Sequence, residues 1–152
     1  ASIDMACYWR RSFALGPVRT RGEGKAMSRV FAVLGAVAYF AWGALHLLAA
    51  ANSFRFASGV EDGLIQGRLF QGAFYVAVFA LVAIVVAVGW NWRNSRAGYW
   101  VNLFAVSTAD IPFVLFIALP GHMTGPEAWL GPSLWAVGLV MSTLAQLTAP
   151  RG

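Results

Sequence analysis

Charged residues and cysteine are both scarce in this chain. Only 11% of its 152 residues are charged, whereas a soluble domain carries about a quarter, so the composition argues against a water-soluble domain. The single cysteine, Cys7, excludes an intrachain disulfide, a cysteine zinc cluster and a cysteine redox pair. The sequence also lacks a Gly-rich phosphate loop and any His-x-x-x-His pair. We therefore expect no metal site and no hydrolytic metal chemistry.

The net charge of +5 belongs mainly to one flank of the chain. Residues 1–29 carry +4 of it, and the remaining 123 residues carry only +1. A basic flank is not a nucleic-acid-binding surface, so we expect no nucleic-acid partner. Membrane lipids with anionic headgroups are the partners that such a flank would contact.

Residues 1–29 form an irregular, Gly-rich N-terminal segment that allows two interpretations. The run Gly22–Lys25 requires purine-rich codons just before Met27, as in a translated ribosome-binding site, which predicts that synthesis starts at Met27. The other interpretation is a disordered basic arm beside the membrane. Residues 148–152 form a short tail.

Four long apolar segments occupy the rest of the chain, at 30–51, 69–90, 99–119 and 130–147. A membrane span needs about 20 apolar residues, and its backbone must be hydrogen-bonded within the segment, which makes each span an α-helix. The sequence therefore predicts an all-α membrane protein, with residues 30–147 forming an up-down four-helix transmembrane bundle. Two Ser/Thr-x-x-Glu patterns, at 58–61 and 124–127, predict that helices 2 and 4 begin at Gly59 and Gly125.

The distribution of cations predicts the orientation of the bundle. Nine of the eleven Lys and Arg residues lie in the N-terminal segment, the second loop or the C-terminal tail. Loops rich in Lys and Arg stay in the cytoplasm. We therefore expect a bacterial inner-membrane protein with both termini cytoplasmic.

Asp110 is the most unusual residue of the four spans. It lies about 2 Å from the middle of the third span, two residues before Pro112. A carboxyl group at this depth is costly and often marks function. It could be a structural carboxyl, either protonated or hydrogen-bonded, or it could exchange a proton or orient a ligand.

Polar and aromatic residues of the other spans lie at similar depth, within about 8 Å of the membrane centre on its outer side. Because ionisable groups avoid lipid, we expect them to converge on Asp110. His46 and Asp110 could then act as an acid–base pair, and these two are the catalytic candidates. The predicted ligand-binding set is Tyr39, Trp42, His46, Tyr75, Asp110 and Trp135.

A second polar set, Asn102, Ser142 and Gln146, lies towards the cytoplasmic side, where it is expected to hold helices 3 and 4 together. His46 and His122 could ligate a b-type haem. A loop histidine is much more often simply solvated, so haem is not expected. The small residues Ala36, Gly43 and Ala50 recur every seven positions. They predict close helix approach, either within the bundle or across a dimer.

The helix-1 run AYFAWGALHLLAA, together with the chain's size and four-span layout, resembles the small bacterial membrane proteins grouped as DoxX-like. The resemblance covers residues 27–147. It implies a four-helix inner-membrane bundle, and some members of that group are associated with quinone-linked oxidoreductase complexes.

Two functions fit these patterns, and the sequence does not decide whether the protein is an enzyme. The first is an outer-leaflet pocket around Asp110 and His46 for an apolar ligand with one polar end, such as a quinone or isoprenoid. The second is a non-catalytic accessory or assembly subunit of a membrane complex, or a homodimer. A proton-linked carrier is less favoured, because four short helices leave little room for alternating access.

Overall fold

The computed structural model describes residues 21–150, in which every regular element is helical. The predicted all-α four-helix bundle is confirmed. Residues 1–20, which include Cys7, and residues 151–152 lie outside the described part of the chain. The four helices are α1 (Arg21–Ser58), α2 (Leu64–Gly89), α3 (Arg96–Phe113) and α4 (Glu127–Thr148).

Helix α1 is the central element of the bundle. It packs along its length against both α2 and α4, whereas α3 packs against the other sides of α2 and α4. Helices α1 and α3 therefore lie diagonally opposite each other. The first turn of α1 meets the end of α4, since a Cβ on Gly24 would lie 3.7 Å from the carbonyl oxygen of Thr148.

The end of the bundle where α1 begins and α4 finishes also contains the connection between α2 and α3. We call it the basic end because it contains Lys25, Arg29 and Arg93. The opposite end, with the connections at 59–63 and 119–126, is called the far end.

All four helices are long and apolar enough to cross a membrane, which identifies a multi-pass membrane protein. Helix α1, with 38 residues, is about 57 Å long and exceeds the hydrocarbon core of about 30 Å. Residues 21–29 of the basic segment form its first turns. Large apolar side chains such as Phe40, Leu48 and Phe104 face outward, as expected for a surface in contact with lipid.

Small residues fill the contact between α1 and α2. A Cβ on Gly43 would lie 2.8 Å from the carbonyl oxygen of Ala80 and 2.6 Å from Cγ1 of Ile84. Ala36 and Ala87 share the same buried cluster. The close approach predicted from the seven-residue repeat is confirmed at Gly43, and it occurs within the bundle.

The contact between α1 and α4 has a regular antiparallel register. Gly35 faces Ser142, Gly138 faces the Tyr39 ring, and Gly131 faces His46. Each pair sets a glycine on one helix against a larger side chain on the other. This arrangement brings the two backbones close together and fixes the height of each α1 side chain against α4.

The predicted starts of helices 2 and 4 were wrong. Helix α1 continues to Ser58, whose hydroxyl donates to the carbonyl oxygen of Phe54 at 2.9 Å and does not cap the next helix. Helix α2 begins at Leu64, after Gly63 with φ 154°. Helix α4 begins at Glu127 without a side-chain cap. In both cases the Ser/Thr-x-x-Glu pattern was present but did not form the capping box.

Helix α3 continues through Pro112 and then widens. Residues Val114–Ala118 form a π-helical turn, with the amide of Leu119 donating to the carbonyl oxygen of Val114 at 2.9 Å. Proline removes a backbone donor, and isolated π-turns are common beside functional sites. The irregular part of α3 thus begins one turn after Asp110.

We predict that Gly43→Ala destabilises the bundle by roughly 1–3 kcal/mol, because the new methyl group overlaps the Ala80 carbonyl. Gly72→Ala is the matched control, because a Cβ at that position in α2 meets no atom within 4 Å. We expect the control to be neutral or to gain up to about 1 kcal/mol from helix propensity. Unfolding followed by circular dichroism in detergent measures both variants. Equal stability of the two would contradict this packing.

Candidate functional site

Asp110 lies at the centre of the bundle and is fully buried. Its Oδ2 accepts a hydrogen bond from Nε1 of Trp42, which is also fully buried. The bond crosses the bundle from α1 to α3, the two helices that lie diagonally opposite each other. A donor matters at this position because a buried carboxyl without a partner carries a large desolvation cost.

His46 stacks on the indole of Trp42, with ring centroids 3.8 Å apart and an interplanar angle of 21°. Its Nδ1 lies 2.9 Å from the carbonyl oxygen of Trp42, one helical turn earlier. A carbonyl oxygen only accepts hydrogen bonds, so Nδ1 carries the hydrogen. In the neutral ring Nε2 is therefore an acceptor. The contact with Trp42 fixes both the position and the tautomer of His46.

Gly131 of α4 brings the backbone of that helix up to both groups. A Cβ at this residue would lie 2.9 Å from Cε1 and 3.5 Å from Nε2 of His46, and 3.7 Å from Oδ1 of Asp110. His46 and Asp110 thus approach the same point from two helices. We call these residues, Trp42, His46, Asp110 and Gly131, the Asp110 cluster.

The second oxygen of Asp110 completes the description of the cluster. Oδ1 is buried and has no hydrogen-bond partner among residues 21–150. It is not directly hydrogen-bonded to His46, although both face Gly131. Nε2 of His46 and Oδ1 of Asp110 therefore face the same residue, Gly131, without bonding to each other.

Two more predicted site residues lie in the same core. Tyr39 is fully buried one turn before Trp42 and packs its ring against Gly138. Trp135 of α4 is partly buried against this core, and its Nε1 donates to the hydroxyl oxygen of Ser107 at 3.0 Å. Tyr39 and Trp42 have no exposed surface, so they form the wall behind the cluster and do not line an open pocket.

The structure does not bring Tyr75 to this cluster. Its side chain is 51% exposed, and its hydroxyl oxygen accepts a hydrogen bond from Nε2 of Gln71 at 2.6 Å. Helix α2 turns its alanine face, which includes Ala73, towards α1. Residues two positions apart on a helix differ by about 200° in direction, so Tyr75 points away from the bundle.

The second polar set joins helices other than those predicted. Nδ2 of Asn102 donates to the carbonyl oxygen of Ala83 at 3.4 Å, which links α3 to α2. Nε2 of Gln146 donates to Oδ1 of Asn94 at 2.8 Å, which links α4 to the connection before α3. A packing role is supported for both residues, but the predicted link between helices 3 and 4 is not made by them.

Asn94 holds the basic end together, a role that was not predicted from the sequence. Its Nδ2 donates to the hydroxyl oxygen of Ser28 at 2.8 Å and to the carbonyl oxygen of Ala145 at 3.2 Å. Its φ of 55° is left-handed, a conformation that asparagine tolerates better than most residues. The sequence signal was an asparagine in a short polar connection, which is too common to single out.

The two histidines lie in different environments. His122 is exposed in the connection before α4, whereas His46 is partly buried in α1. Among residues 21–150, no group of three or more His, Cys, Asp or Glu side chains is placed to hold a metal ion.

Two open grooves lie at the basic end, far from Asp110. One, of about 880 Å³, runs between α3 and α4 and includes Tyr99, Thr143 and Gln146. The other, of about 600 Å³, includes Lys25, Arg29 and Arg93. The Asp110 cluster is a packed polar centre, and the grooves are separate features.

A double-mutant cycle tests the bond between Trp42 and Asp110. We expect Trp42→Phe and Asp110→Leu each to destabilise the bundle by roughly 1–3 kcal/mol, because each leaves a buried polar group without its partner. The double variant should cost less than both together, with a coupling of about 1–2 kcal/mol.

The control cycle combines Trp135→Phe with Ser107→Ala, which removes a neutral and only partly buried hydrogen bond. Its coupling should be about 0.5 kcal/mol or less. Additive effects in the Trp42 and Asp110 cycle would show that the buried bond contributes nothing to the stability of the bundle.

Comparison of the chain with protein-family models, with curated proteins and with solved structures finds no match. The DoxX-like resemblance therefore stays a prediction, and the functional argument depends on the Asp110 cluster itself.

Proposed function

We propose that the protein binds a membrane-soluble molecule that ends in a hydroxyl group, such as an isoprenoid alcohol or a quinol. The hydroxyl would occupy the Asp110 cluster. The observation that carries the proposal is that His46 Nε2 and the unpartnered Asp110 Oδ1 both face Gly131, at 3.5 Å and 3.7 Å from the position that a Cβ would take on that residue. Apolar walls with a few convergent polar atoms are typical of small-molecule sites.

The chemistry of the two atoms selects the ligand. Nδ1 of His46 is committed to the Trp42 carbonyl, so Nε2 accepts. We propose that Asp110 is ionised, with Oδ2 accepting from the Trp42 indole and Oδ1 available as a second acceptor. Two acceptors require a donor. A hydroxyl donates its one hydrogen to one of them, whereas the carbonyl of a quinone brings no donor and would leave both acceptors without a partner.

The same geometry favours proton acceptance from the bound hydroxyl. An imidazole nitrogen within hydrogen-bond reach of a hydroxyl can act as a general base. Stacking on Trp42 holds the ring in place. We therefore keep His46 and Asp110 as the polar pair of the site, with binding as the primary function.

Entry of a ligand requires a local opening of the bundle. Asp110 has no exposed surface, whereas His46 and Trp135 are partly exposed, so the ligand would approach from the His46 side. The π-turn Val114–Ala118 begins one turn after Asp110. Its irregular hydrogen bonding makes this part of α3 the segment best suited to move.

We also propose that the basic end faces the cytoplasm of a bacterial cell. Lys25, Arg29 and Arg93 lie there, whereas the cations nearest the far end are Arg55 and Arg68. This asymmetry follows the positive-inside rule. The Asp110 cluster would then lie in the outer half of the membrane.

An accessory subunit without a ligand is the second candidate, and the far end of α2 favours it. NH1 of Arg68 donates to Oε1 of Gln71 at 3.0 Å, and Gln71 in turn donates to Tyr75. All three side chains are exposed on one helix face. Polar groups facing lipid are unfavourable, so this face suits a partner helix that would cover it.

We expect the purified wild-type protein to bind a quinol at least tenfold more tightly than the matching quinone. Asp110→Asn should reduce this preference. Asparagine keeps an oxygen for the Trp42 indole but replaces Oδ1 with an NH₂ donor, which can bond to the carbonyl of the quinone, whereas the quinol can still donate to Nε2 of His46. One charged hydrogen bond is worth about 1.5–3 kcal/mol, or roughly 10- to 150-fold in affinity. Quenching of tryptophan fluorescence, titrated under anaerobic conditions, measures both affinities.

The control is Tyr75→Phe, which removes a hydroxyl outside the cluster and should leave both affinities unchanged. An isoprenoid alcohol should compete with the quinol both in the wild-type protein and in Asp110→Asn, because its hydroxyl can donate to Nε2 of His46 in either. If neither the quinol nor the isoprenoid alcohol binds a folded wild-type protein, the proposal is wrong and the accessory candidate is favoured.

A further inference from the structure

We infer that the basic end contains a binding site for one anionic phospholipid, separate from the Asp110 cluster. The site combines a basic groove, which would hold the phosphate, with an apolar furrow that would hold an acyl chain. Both lie on the same side of α1, where it packs against α2 and the connection that follows.

The basic groove has a volume of about 600 Å³ and is positively charged. Lys25 and Arg29 of α1 line it on one side, and Arg93 of the connection lines it on the other. No carboxylate is among its described lining residues, and no carboxylate of residues 21–150 pairs with Arg29 or Arg93. The three cations are exposed, so their charge is available to an anion from outside.

Neutral hydrogen-bonding groups lie within the same groove. Asn94 and Ser28 both line it, and they are fixed by their own hydrogen bond of 2.8 Å. Because Asn94 is also bonded to Ala145 and Gln146, the floor of the groove is held by three segments of the chain. The cations are thus presented on a rigid base, which favours a defined site over diffuse attraction.

The apolar furrow continues directly from the basic groove. It has a volume of about 200 Å³ and is lined by Ala36, Val37, Phe40, Ala87, Val88 and Trp92. Trp92 lines both cavities, so they adjoin at this side chain. Tryptophan is enriched at the level of lipid headgroups, which is where the phosphate and the acyl chain of a phospholipid meet.

The dimensions match one lipid molecule. From Arg29 to Phe40, helix α1 rises about 16 Å, which is close to half of the hydrocarbon core of about 30 Å. A phosphate at Arg29 and Arg93 would therefore place its acyl chain along Val37 and Phe40, within one leaflet. A free phosphate ion would use the basic groove alone and gain nothing from the furrow, so a phospholipid is the better match.

The test uses the full chain in mild detergent and native mass spectrometry with added lipids. Phosphatidylglycerol is the anionic probe, phosphatidylcholine of the same chains is the neutral-headgroup probe, and glycerol phosphate is the probe without chains. We expect one phosphatidylglycerol to be retained per protein, at least tenfold more tightly than phosphatidylcholine. Glycerol phosphate at the same concentration should not displace it.

Two variants within the proposed site locate it, and a third variant outside the site is the control. Arg29→Gln with Arg93→Gln should weaken phosphatidylglycerol retention about tenfold or more, since each cation near an anionic surface contributes roughly fivefold. Arg55→Gln with Arg68→Gln makes the same change in net charge on exposed residues outside the groove and should have no effect. Val37→Trp fills the furrow without changing charge, and it should weaken phosphatidylglycerol retention as well.

Three results would overturn the inference. They are equal retention of the two lipids, an equal loss in the two double-arginine variants, and full displacement of the lipid by glycerol phosphate. Val37 is 52% exposed, and the substituted arginines are also exposed, so these variants should fold. Circular dichroism and size-exclusion chromatography verify that before the lipids are added.

Discussion

The hydrogen bond between Trp42 and Asp110 is the interaction on which the rest of this bundle depends. It joins the two helices that lie diagonally opposite each other, and each of these packs against both of the others. The bond therefore affects the packing of all four helices. A carboxyl group in the centre of a membrane bundle is tolerated only with a partner, and the indole N–H provides one. The indole must cross the whole core to do so, and this fixes the height of α1 relative to α3.

The small residues of the bundle let the helices come close enough for the bond between Trp42 and Asp110 to form. Helix α1 must lie close to α2 and α4 for its central side chains to fill the core, and Gly43 and Gly131 make this approach possible. In lipid there is little hydrophobic gain from burying large side chains, so close packing of small ones stabilises the contact. The centre and the basic end of the bundle then differ in character. Asp110 and Trp42 are buried inside the bundle, whereas the basic end carries the cations Lys25, Arg29 and Arg93.

Much of the fold could be predicted from the sequence, and the site only in part. The length of the apolar segments identified four spans, and small residues at every seventh position identified the contact face of α1. Asp110 and His46 were recognised because ionisable groups are rare in spans. Counting residues from the middle of a span gives the height of a side chain along its helix but not the direction in which it points. Tyr75 was therefore placed on the wrong side of α2 relative to Asp110. The pairing of Asp110 with Trp42 and the role of Asn94 depend on helix positions that no local pattern encodes.

The most direct test of the bond between Trp42 and Asp110 is the rate at which the indole N–H proton of Trp42 exchanges with water, measured by ¹⁵N NMR of the labelled protein in micelles. Each of the seven tryptophans carries one indole N–H, and the signal that disappears in Trp42→Phe is the one of interest. A buried and bonded indole proton should exchange with water far more slowly than those of Trp92 and Trp100, which are half-exposed. Its signal should also shift in Asp110→Asn. An indole proton at Trp42 that exchanges as fast as those two, with no shift in that variant, would contradict the account.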